Sequence, residues 1–268
     1  MKITFEPENT KKRLTTFIAD SLGQTGLDGF VIGLSGGIDS ALSATLAVEA
    51  VGAERVFGMM MPYKSSSAAS IKDAQAVADF LKIEHKRVEI TPMIDAYYDR
   101  INDDMRVRAG NKMARERMSI LFDHAHQMNR MVLGTGNRTE IALGYTTLYG
   151  DSACSINPIG QLYKTEVRAM SRHLGIPEQV ITKPPSADLW TGQTDEGEIG
   201  VTYEQIDHLL VRLLDEGERD KSDLLHDGLT EADLDRVLSL INLNAFKRQL
   251  PPIASLGRAD VPNRITLN

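Results

Sequence analysis

The chain of 268 residues has one cysteine, Cys154, so no disulfide can form within it. It has no apolar run near the roughly 20 residues that a membrane-crossing helix needs. The opening segment MKITFEPENT lacks the basic-then-apolar pattern of a secretory leader, which makes a cytoplasmic protein the expectation. Positive charge is not in excess either: 30 Lys and Arg against 37 Asp and Glu leave a formal net charge of -7. That balance argues against a protein that coats nucleic acid by overall charge. There is no internal repeat and no low-complexity tract, and the six histidines show no zinc-site spacing with the cysteine.

What the chain does have is an alternation of two periods. Short apolar runs closed by Gly or Pro mark strands at 29–34 (GFVIGL) and 55–62 (RVFGMMMP), and the alternation adds strands at 85–90 (HKRVEI) and 131–136 (MVLGTG). Helical spacing fills the intervals, with helices expected near 40–52, 70–82, 91–101 and 106–129, then at 138–144 and 164–174. Strands separated by helices predict an α/β fold, a doubly wound parallel sheet with helices on both faces and right-handed crossovers. The length suffices for a substantial core without staples. The simplest division is one domain, 1–268, with a core at about 25–185 and a C-terminal helical extension at about 201–250. The segment 183–200, rich in Pro, Gly and acid, has neither period and reads as a mobile loop.

The first strand runs into VIGLSGGIDSA, and such a strand–glycine–helix junction turns backbone N–H groups and a helix N-terminus toward one anion. Gly36 and Gly37 permit close approach, and Ser35 and Ser40 add hydroxyls. The familiar nucleotide loop would place a lysine before its last serine, whereas this chain has Asp39 there. An aspartate beside phosphates implies a divalent cation between them, so the loop calls for Mg²⁺ as well as phosphate. The dinucleotide fingerprint fails too, because Ser35 stands where its second glycine belongs. Read without ligands, the same stretch is a glycine turn that starts a helix, with Ser35 or Asp39 as a cap.

SGGIDS resembles the signature of the ATP pyrophosphatases, which split ATP between its α and β phosphates. Three later blocks, VLGTGNRTEIALGYTTLYGD (132–151), NPIGQLYKTEVRAMSRHLGIP (157–177) and KPPSADL (183–189), are similar as a set to NAD synthetases, from Gly33 to about Pro252. The resemblance implies a Rossmann-like sheet of the adenine nucleotide alpha hydrolase type. It also implies a reaction: ATP activates the nicotinate carboxylate of deamido-NAD⁺ as an adenylate, pyrophosphate leaves, and ammonia displaces AMP to give NAD⁺. On the matching positions, Gly33, Leu34, Ser35, Gly36, Gly37, Ile38, Asp39 and Ser40 would form the ATP loop, and Thr135, Lys164 and Ser186 would contact ATP. Asp39 and Glu140 would hold Mg²⁺, and Asp151 would stand beside Asp39 and Lys164 at the reaction centre. Arg115, Leu148, Ser155, Phe246 and Lys247 fall where relatives contact deamido-NAD⁺. Taken alone, Glu140 reads as a first-turn helix glutamate and Arg108, Lys112 and Arg115 as a solvated helix face.

The chain departs from the family pattern on the dinucleotide side. Leu148 stands for a lysine, Ser155 for an aspartate and Phe246 for a histidine, which puts more weight on Arg115, Lys247 and the backbone. No room exists for an amidohydrolase domain, so free ammonia is the expected nitrogen donor, unless a separate glutaminase supplies it. A homodimer is implied by the family. Cys154 reads as a small residue packed beside the site rather than a sulfur carrier. The loops 63–70 and 190–200 are expected to close over substrates. Two alternatives stay open: another ATP pyrophosphatase, sulfur-inserting or amidating, or a module that binds ATP without turnover.

Overall fold

In the computed structural model, which describes residues 5–98, 105–186, 188–190, 192–225, 228–254 and 256, four parallel strands form one sheet. They are β1 (Gly29–Gly33), β2 (Val56–Met60), β3 (Glu84–Arg87) and β4 (Arg130–Val132), ordered β3-β2-β1-β4. Phe30 pairs with Val56 on one side of β1 and with Met131 on the other, so the central strand is flanked by the second and the last. β1 and β2 carry side chains buried on both faces, as a parallel sheet covered by helices requires.

An N-terminal helix absent from the sequence expectations, α1 (Pro7–Gly23), packs against α2 (Ile38–Val51). Its polar sequence PENTKKRLTTFIADSLG buries little beyond Ile18 and Leu22, which is why its period is faint. With α3 (Ala68–Leu81), α7 (Lys164–His173) and α8 (Glu178–Ile181), these two helices enclose a core around Phe30, Ile32, Leu42 and Val167. The opposite face is closed by α4 (Thr91–Asp95) and α5 (Arg106–Gln127) over Val31, Phe57, Met59 and Met113. The helix expected over 91–101 ends already at Asp95, its last positions 99–101 lying outside the described residues, and the strand expected at 85–90 is found at Glu84–Arg87.

Two expectations need correction. The strand expected at 131–136 stops at Val132, because the chain beyond makes only an isolated bridge between Leu133 and Ile156 and then turns toward α6 (Arg138–Leu143). The segment 183–200 is not all loop: Asp195–Ile199 forms α9, with Asp195 and Ile199 buried. Helices α10 (Tyr203–Leu210), α11 (Lys221–Leu224) and α12 (Glu231–Leu243) build a third cluster around Ile206, Leu210 and Leu234, against Leu143 and Tyr163.

That third cluster is tied to the sheet core by a carboxylate. Asp207 of α10 is buried and accepts hydrogen bonds from Thr139 Oγ1 (2.5 Å) and the Thr165 amide (2.7 Å), while Thr139 Oγ1 accepts from the Lys164 amide (3.1 Å). Asp207 therefore satisfies the otherwise unpaired N-terminus of α7 and holds α6 beside it. Replacing it with Ala strands buried donors, and Asp207→Ala is expected to cost about 2–3 kcal/mol in urea unfolding.

Candidate active site

The chain leaves β1 at Gly33 and enters α2 through Leu34–Gly37. Gly36 adopts φ +76°, and a Cβ there would sit 2.2 Å from the Ser70 carbonyl oxygen, so both conformation and space demand glycine. Ser40 Oγ donates to the Gly37 carbonyl (2.9 Å) and accepts from the Ser35 amide (3.3 Å), which folds the loop onto the start of α2. Gly37 caps that helix without a side chain, leaving first-turn N–H groups for an anion.

Asp39, in the first turn of α2, meets Lys164, the first residue of α7, at 2.6 Å, and Glu140 of α6 meets the same ammonium at 3.1 Å. Lys164 is 2 % exposed and lies over the Tyr203 ring. Asn137 completes the arrangement: its Nδ2 donates to Asp39 Oδ1 (2.9 Å), its Oδ1 accepts from the Glu140 amide (2.9 Å), and its own amide reaches Glu140 Oε2 (3.3 Å). The Asn137–Glu140 capping box thus holds one carboxylate, while the Asn137 amide group steadies the other. Desolvation pushes the Glu140 carboxyl up to about 8, the pull of Lys164 offsetting part of that and Asp39 adding repulsion. Desolvation opposes the Lys164 ammonium as well, but Asp39 and Glu140 outweigh it and hold the lysine above its ordinary value.

These groups open on a cavity of about 740 Å³ at the carboxyl ends of the strands. It brings together most of the residues singled out from sequence: Gly33, Leu34, Ser35, Gly37, Ile38, Asp39 and Ser40 from the loop, then Thr135, Glu140, Asp151, Lys164, Ser186 and Lys247. Gly36, Arg115, Leu148, Ser155 and Phe246 are not among the lining residues. Gly36 supports the loop from behind. Arg115 is exposed and donates from Nε to the Leu148 carbonyl (3.1 Å). Ser155 Oγ accepts from the Val132 amide (3.1 Å), and Phe246 is exposed. Lys247 Nζ donates to the carbonyls of Gly144 (2.7 Å) and Thr146 (2.9 Å). Cys154 packs under Gly134, where a Cβ would fall 2.6 Å from its Sγ, and burial pushes its thiol up.

Sequence reasoning missed Asn137, Asp195, Tyr203, Asp207 and Arg117. Asn137 was findable, since N-x-x-E opening a helix is a capping-box pattern. Asp195 and Asp207 were not, because one looks like an acid in an irregular loop and the other like one more acid on a charged helix until the fold buries them.

Asp39 and Glu140 are hard carboxylate donors of the kind Mg²⁺ takes in nucleotide sites, and in this structure both are paired with Lys164. Among the described residues no group of three or more acidic, His or Cys side chains is placed to hold a metal ion.

The sequence model of the family described as NAD synthase matches residues 10–251. The chain belongs to the NAD synthase family. Over 257 residues it is 46% identical to the NH(3)-dependent NAD(+) synthetase of Fusobacterium nucleatum, covering 96% of this chain and 99% of that one. Among solved structures it resembles an NMN synthetase from Francisella tularensis, with TM-score 0.81 and 35% identity over 97% of this chain and 100% of that one. It also resembles an NH3-dependent NAD synthetase from Campylobacter jejuni, with TM-score 0.79 and 34% identity over 94% and 100% of the two chains.

In a NAD synthase built this way, the lysine between two enclosed carboxylates holds α2, α6 and α7 together. Lys164→Met should destabilise the protein by about 3–5 kcal/mol at neutral pH in chemical denaturation. Without the ammonium, Glu140 titrates higher still. The penalty should therefore be largest in alkaline solution and shrink as falling pH places a proton on that carboxylate.

Proposed function

We propose that the chain is an ATP-dependent ligase that converts deamido-NAD⁺ and ammonia to NAD⁺, releasing AMP and pyrophosphate. The observation that carries this reading is the Lys164–Asp39–Glu140 group placed beside a free helix N-terminus in one cavity. The 46% identity to an NH(3)-dependent NAD(+) synthetase over nearly the full length of both chains supports the choice of a dinucleotide acceptor and of ammonia. The whole chain acts as one unit, its extension serving the site through Asp207 and Lys247.

The residues divide the work by charge. A carboxylate is a poor electrophile, and adenylation gives its carbon a leaving group that ammonia can displace. The loop amides at 36–40 and the Lys164 ammonium accept the negative charge that builds on pyrophosphate as it departs. Mg²⁺, held by Asp39 and Glu140, supplies further neutralisation of the triphosphate when bound. Thr135 and Ser186 bring hydroxyls to the ATP side. Asp151, whose Oδ1 accepts from the Thr147 amide (2.7 Å), is held at the mouth toward the acceptor.

The loop expected at 63–70 and the start of α3 are tied to the 183–188 segment, just ahead of the second covering loop expected at 190–200. Asp188 Oδ2 accepts from the Ser67 amide (3.0 Å), and Lys183 Nζ reaches Ser70 Oγ (3.0 Å) and Asp73 Oδ2 (2.9 Å). Such contacts would help keep water from the adenylate. Tyr97, Phe122 and Tyr149 are exposed and available to a homodimer interface, which sedimentation would test. In cells, free ammonia or a separate glutaminase would supply the nitrogen. Among the described residues no helix is long and apolar enough to cross a membrane.

Incubation with ATP, Mg²⁺, deamido-NAD⁺ and ammonium should yield NAD⁺, AMP and pyrophosphate in equal amounts, and chelation of the metal should stop it. AMP and pyrophosphate without NAD⁺ would overturn the acceptor assignment. Asp39→Asn should lower turnover by about 100-fold or more, since it removes one carboxylate from both metal and lysine.

A further inference from the structure

Four basic side chains line the cavity among the described residues: Arg117, Lys164, Lys183 and Lys247. Three are already engaged. Lys164 is paired with Asp39 and Glu140, Lys183 with Asp73, and Lys247 with two backbone carbonyls. Arg117 differs. Its Nε donates to the Met61 carbonyl (3.0 Å), just past the end of β2, and it has no ion-pair partner among the described residues. The residue lines the cavity, and Nε is the one side-chain nitrogen with a hydrogen bond among the described residues. Desolvation pulls the guanidinium pKa below its ordinary value, with the charges of Asp188 and Asp151 opposing that shift.

An arginine held in place by one bond, partly stripped of water and left with its fork unpaired is an unfavourable arrangement until an oxyanion fills it. Its bond to Met61, just past β2, sets it at the β2 end of the cavity, whereas Asp39, Glu140 and Lys164 meet where the chain follows β1 and β4. The ATP side already has the loop and Lys164. Arg115, two positions earlier on α5, turns outward to the Leu148 carbonyl, as a two-residue step on a helix demands. We propose that Arg117 binds the ionised carboxylate of the acceptor and so selects the acid over its amide. This rests on the ligase reading above, and it adds a specificity residue to that site. The product amide carries no charge at this group and gains nothing from the guanidinium, which favours its release.

Calorimetric binding of deamido-NAD⁺, NAD⁺ and ATP to the parent enzyme and to Arg117→Gln, Arg117→Met and Arg117→Lys tests it, with thermal unfolding recorded for each. Gln can keep a bond to the Met61 carbonyl without the charge, so the proposal stays testable where Met unfolds the protein. The Gln variant should bind deamido-NAD⁺ roughly 10- to 100-fold more weakly, hold ATP within about two-fold, and lose the parent's preference for acid over amide. The Lys variant should recover part of that preference. Unchanged deamido-NAD⁺ affinity in Arg117→Gln, an equal loss for acid and amide, or a loss confined to ATP would each overturn the role of Arg117. In all three cases NAD⁺ formation by the parent would leave the ligase reading standing. A parent that binds no deamido-NAD⁺ would overturn both.

Discussion

The site depends on one enclosed ammonium. Lys164 is out of contact with water, and a desolvated charge persists in a folded protein only where partners compensate it. Asp39 and Glu140 do so from separate helices, one following β1 and the other following β4. Those strands are neighbours in the order β3-β2-β1-β4, and the chain reverses direction across the sheet between them. An open α/β sheet leaves its crevice at that reversal. The lysine thus fastens two helix N-termini at the point where topology already makes room for a ligand.

The backbone around Lys164 is fixed from further away. Thr139 and Asp207 carry the start of α7, Asn137 spans Asp39 and Glu140, and Tyr203 lies beneath the ammonium. Two of these residues, Tyr203 and Asp207, come from α10. The C-terminal helices are therefore part of the site's construction, although only Lys247 among the sequence candidates in that region lines the cavity.

Much of this was legible from sequence because it depends on short-range pattern. The β1 loop announces itself through its glycines, and β1, β2 and β4 through apolar runs between helices, whereas β3 (EHKR) is polar and shows only through its place in the alternation. Legibility failed where burial, not pattern, gives a residue its meaning. Asp195 and Asp207 sit among many acids in a chain of net charge -7, and only packing separates the buried ones from the solvated ones. Likewise α9 hides in a segment whose Pro and Gly content masks a five-residue helix. The basic stretch of α5 shows the same limit: Arg115 and Arg117 are equivalent as text, and only the sheet against which the helix packs decides which one faces inward.

That inward choice bears on the departures from the family pattern. Leu148 and Ser155 were expected to depart from that pattern on the dinucleotide side, and neither lines the cavity. Leu148 acts through its carbonyl, which accepts from Arg115 whatever side chain it carries. Ser155 is occupied with the Val132 amide at the end of β4. Lys247 spans the carbonyls of Gly144 and Thr146, so it fixes the segment leading to Asp151 before any substrate arrives, and turning it to a ligand would cost both bonds. Acceptor recognition on this framework must then come less from the rim and more from the inner face of α5. There a charge can be held ready by a single backbone bond, at the cost of partial desolvation, and a bound anion offsets that cost.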